Sequence, residues 1–275
     1  MKSKQKTLSF VQKFLVLLSA VAVFGVLIAL LAYILFKGVP HLRPSLFAWS
    51  YTSENLSLLP ALLNTLTMVV LTLLLAVPAG VGGAIYLVEY APRGSRLVKV
   101  IRTMAETLSG IPSIVYGLFG FLMFVLACNM DYSILSGALT LVIMVLPTIL
   151  RTTEEALISV PDSFREGSFG LGAGKLRTVF RIVLPAAMPG ISSGIVLAIG
   201  RIVGETAALI YTAGTITGRA ESLMDSGRTL AIHLYCLLNE GLYMEEAYAT
   251  AVVLLVLVIG INALSGALAK SLAKR

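Results

Sequence analysis

The chain has 275 residues, 57% of them hydrophobic and only 13% charged, with a net charge of +7. A soluble domain of this length carries about a quarter charged residues, so too few polar groups remain here to cover a water-exposed surface, and lipid must cover the rest. One Trp and two Cys exclude a disulfide scaffold and a cysteine-rich metal site.

Lys2, Lys4, Lys6 and Lys13 open the chain, and an apolar run follows from Phe14 to Phe36. A cleavable signal has an apolar core of roughly 7–15 residues. This run is longer, and about twenty residues cross ~30 Å of hydrocarbon as a helix, so it reads as a retained first span. Further apolar segments stand at about Leu62–Val88, Ile111–Ala127, Ser133–Leu150, Ala187–Thr212 and Ala247–Ala269. The third is short, and an amphipathic lead-in from Leu97 to Gly110 is a candidate extension of it. Pro78, Pro112 and Pro189 fall in or near spans, where neighbouring helices can re-satisfy freed backbone groups. The expected class is all-α, a polytopic membrane bundle of six transmembrane helices. Residues 1–61 would hold the N-terminal tail, first span and external loop, and residues 62–275 the main transmembrane domain.

Basic residues orient the spans. Lys2, Lys4, Lys6, Lys13, Arg93, Arg96, Lys99, Arg102, Arg151, Arg165, Lys175, Arg177, Arg181, Lys270, Lys274 and Arg275 all fall on one side. Lys37, Arg43, Arg219 and Arg228 fall on the other, and Arg201 lies inside the fifth span. The positive-inside rule then places both termini in the cytoplasm. The basic balance reports topology, and a nucleic-acid partner is not expected. Two connections are long: residues 151–186, cytoplasmic, and residues 213–246, external. The external one contains Thr229–Leu238 (TLAIHLYCLL), too short to span. It reads either as a re-entrant or interfacial helix capping a pathway or as a helix flat on the outer face.

The cytoplasmic connection reads REGSFGLGAGKLRTVFRIVLPAAMPGI from Arg165 to Ile191. Glu166–Phe169 can start a short helix, and Gly172 or Gly174 can end it at positive φ. Lys175–Val183 then forms a second helix, broken by Pro185. The run GLGAGK at Gly170–Lys175 is no phosphate-binding loop: Phe169 stands where the first glycine belongs, Leu176 follows the lysine, and no strand precedes it. The acidic Glu166, small Gly167 and Ser168, Gly172, and the distal Ile182, Leu184 and Pro185 resemble the signature loop of bacterial ABC importer permeases. The resemblance implies an elbow that docks on a separate ATPase subunit.

In the fifth span, GRIVGETAALIYTAG runs from Gly200 to Gly214. Arg201 and Glu205 are four apart, on one face of a continuous helix, and opposite charges so placed would pair at membrane depth. Two readings stand: a guanidinium that meets an anion in transit, with Glu205 positioning it or weakening its grip, or a structural ion pair. Gly190 with Gly194 and Gly200 with Gly204 form small-xxx-small pairs that admit a close helix neighbour. Arg151, Glu154 and Glu155 close the fourth span, where Arg151 either guards a pathway mouth and pairs with Glu154 or anchors the helix end. His41 and His233 have no evident co-ligands, so no metal is expected. Cys128 and Cys236 both fall toward the external side, with free thiols as the default and a disulfide as the alternative.

NTLTMVV (Asn64–Val70), AIYLVEYAPRGSRLVKVIR (Ala84–Arg102), LSGIPSIVYGLFG (Leu108–Gly120), RTTEEAL (Arg151–Leu157) and GETAALIYTAG (Gly204–Gly214) together resemble the phosphate-specific ABC transporter permeases of the PstA type. The family's paired PstC-type permeases share several of these stretches. The resemblance implies the type I importer permease fold and a heterodimer with a second permease. It further implies two ATP-binding subunits and a periplasmic phosphate-binding protein, with ATP and Mg used by the ATPase and no cofactor held by this chain. Arg201 and Arg151 suit bidentate contacts to phosphate oxygens. Other readings are a permease for another oxyanion, a transporter or channel that works alone, and a membrane scaffold or sensor.

Overall fold

The computed structural model describes residues 2–92 and 94–273, so Arg93, Lys274 and Arg275 of the basic set lie outside the described residues. Helix α1 (Lys2–Gly38) is one apolar rod. Its most apolar stretch buries nothing in the chain's own bundle, and it is held near its end. Tyr33 meets Tyr248 edge to face at 5.9 Å, with hydroxyl oxygens 3.1 Å apart. Gly38 lies against the Tyr248 carbonyl, where a Cβ would overlap it.

Helix α2 (Leu59–Ile85) starts with Pro60 in its first turn, where the missing N–H costs no helical bond. It runs on through a π-turn, Tyr86–Tyr90. Helices α3 (Arg96–Ser109) and α4 (Ser113–Gly120, continued by a π-turn over Phe121–Ala127) come next, and they meet at 105°. Residues 97–110 therefore join the third span only across a sharp bend. Pro112 at the junction disfavours the helical conformation in Ile111 and cannot donate, so the chain turns there and α3 becomes a separate amphipathic helix. Among the described residues five helices are long and apolar enough to cross a membrane, and a sixth span requires the bent pair.

Helix α5 (Ile134–Ile158) is the central element, and Ser133 caps it by accepting from the Ser136 N–H at 3.1 Å. It packs along α2 and along α8 (Leu184–Val203). Helix–helix association in lipid rests on close packing, because lipid tails are as apolar as leucine. The close approaches are visible: a Cβ on Gly80 would come within 2.7 Å of Ile149, and one on Gly190 within 2.6 Å of Ala156. A Cβ on Gly194 would overlap the Thr152 hydroxyl. Gly190 and Gly194 thus act as the expected small pair. Gly200 and Gly204 do not, since Gly200 has no neighbour there within 4 Å and Gly204 ends α8. The core sits where these helices cross and includes Met68, Leu141, Met144, Ile149 and Ile202.

The fifth span departs from expectation at both ends. It is a continuous helix from Lys175 to Val203: α7 (Lys175–Thr178), a π-turn over Val179–Val183, then α8. Pro185 does not break it. In the wide turn ahead, the Leu184 N–H donates to the Val179 carbonyl five residues back, making room for a residue that lacks an N–H. At the other end the helix stops at Val203, and α9 (Ala207–Ile210) is a separate short turn.

Helix α10 (Leu230–Glu240) is set into the bundle against α11 (Met244–Ala273) and α2, with Leu230, Ala231, Ile232, His233 and Leu237 buried. Tyr235, Leu238, Asn239 and Glu240 on its other side are exposed, so one face of the helix packs inward and the other is open. Gly241, at φ +70°, ends it.

Candidate transport cleft and coupling elbow

Helices α5, α8 and α11 border an open cleft of about 860 Å³, lined by Thr148, Thr152, Glu155, Ser193, Arg201 and Asn262 among others. Arg201 stands half-buried in the last turn of α8 and makes no ion pair or side-chain hydrogen bond among the described residues. The expected Arg201–Glu205 pair is absent. Because α8 ends at Val203, residue 205 does not follow on the same helical face. The Glu205 carboxylate is buried and accepts the Ala208 N–H at 3.0 Å, capping α9 instead. Arg201 therefore presents unengaged guanidinium donors at the cleft wall.

Arg151 does not pair with Glu154. It reaches Glu155 at 3.1 Å, one helical turn on, and Glu106 of α3 at 3.6 Å. Glu154, three residues on, is 7% exposed and is held instead by the Arg102 guanidinium through both Nε and Nη2. Arg102, Glu106, Arg151, Glu154 and Glu155 border a second cavity of about 240 Å³. Of the sequence-predicted pathway residues only Arg201 lines the large cleft. Arg151 and Glu154 line the smaller cavity and Glu155 borders both, while Glu205 lines neither. Thr148, Thr152, Ser193 and Asn262 were missed, although hydroxyl and amide groups inside apolar spans are themselves a signal.

At the far end of α5 lies the elbow. Helix α6 (Asp162–Gly170) begins at Asp162 behind Pro161, earlier than Glu166. Gly172 reverses the chain at φ +80°, while Gly174 sits at φ −73° and opens α7. Glu166 is exposed, and Gly167 has open space where a Cβ would be. Ser168 is buried, with its hydroxyl oxygen 2.8 Å from that of Thr178 on the other limb. Ile182 lies in the π-turn, and Leu184 and Pro185 open α8. The tip is apolar and uncovered: Leu171 is 91% exposed, with Phe169 and Leu176 exposed beside it. Cys128 and Cys236 are free thiols.

A bundle that is helical throughout the described residues, with a largely apolar cleft carrying a few polar side chains between its spans and an uncovered elbow at one end, fits a multi-pass transmembrane transport subunit. Its fold is that of the type I ABC importer permeases. It is similar to a chain of the MetNI methionine ABC transporter in an inward-facing conformation (TM-score 0.64, 18% identity, 78% of this chain and 95% of that one). It is also similar to a chain of a bacterial alginate ABC transporter (TM-score 0.62, 16% identity, 92% and 95%). The chain belongs to the binding-protein-dependent transport system inner membrane component family, whose profile matches residues 76–275. Relatives include the probable ABC transporter permease protein YqgI of Bacillus subtilis, 35% identical over 85% of this chain and 84% of that protein. The phosphate transport system permease protein PstA is 38% identical in Mycobacterium leprae, over 78% of this chain and 71% of that protein. The Pasteurella multocida PstA is also 38% identical, over 73% of each.

Proposed function

We propose that this chain is a permease subunit of an ATP-driven importer that moves inorganic phosphate across the inner membrane, with both termini and the elbow in the cytoplasm. The observation that carries the reading is Arg201, a guanidinium with no carboxylate partner in a cleft whose other walls offer Thr148, Thr152, Ser193 and Asn262. A planar fork of donors matches an oxyanion, and the neutral groups elsewhere along the cleft offer further hydrogen-bonding partners on the way through. The relatives named for phosphate transport support that anion over others. One arginine rather than a ring of them suits transit, because a pathway must release what it binds.

The cleft is open, and a second permease facing it would close a pathway between the two subunits. Two ATP-binding subunits, using ATP and Mg, would take the elbow tip at Leu171 and Phe169, and a periplasmic phosphate-binding protein would deliver the substrate. The chain itself contributes no cofactor chemistry. Residues 62–275 then form the transporting domain and residues 1–61 the tail, first span and external loop. The decisive experiment is ATP-dependent uptake of radiolabelled phosphate by the full assembly in proteoliposomes. Arg201→Ala should abolish most uptake, and Arg201→Lys, which keeps the charge but not the fork, should retain part. Uptake of a different anion by the wild type, without phosphate, would overturn the substrate.

A further inference from the structure

We infer that the buried Arg165–Glu89 pair is the joint through which movement of the elbow reaches α2. The inference rests on the coupling role proposed above for the elbow. The π-turn Tyr86–Tyr90 at the end of α2 turns Glu89 inward, so that only 8% of its side chain is exposed. Arg165, one turn into α6, donates to one Glu89 carboxylate oxygen from Nη2 at 2.7 Å and from Nε at 3.0 Å. The same guanidinium donates to the carbonyls of Val160 at 2.8 Å and Leu157 at 3.0 Å, where α5 ends. One side chain thereby joins the first limb of the elbow, the end of α5 and the end of α2.

The second limb is tied to the adjacent residue, with the Lys175 ammonium 5.0 Å from the centroid of the Tyr90 ring. Between the limbs, the Ser168–Thr178 contact closes the elbow into one body. Both limbs therefore hold neighbouring residues at one end of one helix. Arg165 also reaches the exposed Asp162 at 3.3 Å, but separating it from Glu89 would leave a buried carboxylate unpaired, which is strongly disfavoured, so the elbow and the end of α2 move together. At the far end of α2, Asn64 donates to the carbonyls of Gly218 at 2.9 Å and Arg228 at 3.2 Å and accepts from the Ala220 N–H at 3.0 Å. One continuous helix thus has the elbow at one end and the 213–229 segment at the other. Arg165 and Glu89 are positioning residues; neither borders the large cleft.

The test uses the complete transporter in proteoliposomes, with phosphate uptake and ATP hydrolysis measured in the same vesicles. Glu89→Ala should leave the complex assembled and basal hydrolysis intact, while uptake per ATP hydrolysed falls roughly three- to tenfold. Glu89→Gln, which keeps an acceptor, should fall less, and Tyr90→Leu about twofold. A joint that is merely structural would lower the amount of complex and both rates together. An unchanged ratio in Glu89→Ala overturns the inference. If Glu89→Ala fails to assemble, Tyr90→Leu decides, and a wild-type ratio there overturns it as well. A wild type that carries another anion would sink the phosphate reading alone, and the ratio is then read with that anion.

Discussion

Ser168 and Thr178 face one another across the Gly172 turn, both buried, with their hydroxyl oxygens 2.8 Å apart. Thr178 also donates to the Gly174 carbonyl at 3.2 Å, so removing the serine hydroxyl leaves the threonine satisfied. Ser168→Ala should therefore destabilise by no more than about 1 kcal/mol. Ser168→Leu must push the limbs apart and should cost about 1–3 kcal/mol. Thermal unfolding of the purified protein in detergent separates the two.

Arg102 and Glu154 are unequal partners: half of the arginine side chain is exposed, but only 9% of the glutamate side chain. Arg102→Ala strands a buried carboxylate and should lower stability by roughly 2 kcal/mol. Glu154→Ala leaves an arginine that can turn to water, and should cost less. The double variant should lie nearer to Glu154→Ala than to Arg102→Ala. Equal losses in the two single variants would contradict this burial asymmetry.

Gly194 and Thr152 set the distance between α8 and α5. Gly194→Ala should cost about 1–3 kcal/mol through overpacking, and the exchange Gly194→Ala with Thr152→Gly should recover part of it. The fraction of monodisperse protein on size exclusion, with the unfolding midpoint, reads both variants.

Burial pushes the His233 imidazole down to about 3, with the nearby Arg228 guanidinium adding to the shift. Neither ring nitrogen makes a hydrogen bond of good geometry among the described residues, the Leu56 backbone offsets only part of the shift, and the ring stands edge-on to Tyr51 at 6.2 Å. The unfolded chain takes up this proton near pH 6.5 and the folded chain near 3, so stability is full above 6.5 and is lost as pH falls between the two values. From pH 7.5 to 5 the loss should be about 2 kcal/mol. His233→Leu should flatten that part of the profile; an identical pH dependence in the variant would remove His233 as its source.

The spans were legible because apolar runs of this length have few alternatives in water or lipid. The failures came where a local rule assumed an unbroken helix. Arg201 and Glu205 have the spacing of an ion pair, but Gly204 ends the helix between them, and nothing in the flanking apolar residues marks the stop. Arg102 finds Glu154 and Arg165 finds Glu89 across 52 and 76 residues, which only tertiary packing can specify. Pro112 was read as a tolerated span residue and is a corner. Gly172 was legible, since a chain reversal between two short helices needs positive φ.

The wide turn at Val179–Val183 holds one residue more than an α-helical turn. Were that residue absorbed into regular helix, everything from Lys175 to Thr178 would swing by about 100° and shift by about 1.5 Å relative to α8, with no helix broken. Such a swing would carry Thr178 away from Ser168 and Lys175 away from Tyr90, so those two contacts keep the extra residue in the turn and hold the second limb at one rotational setting.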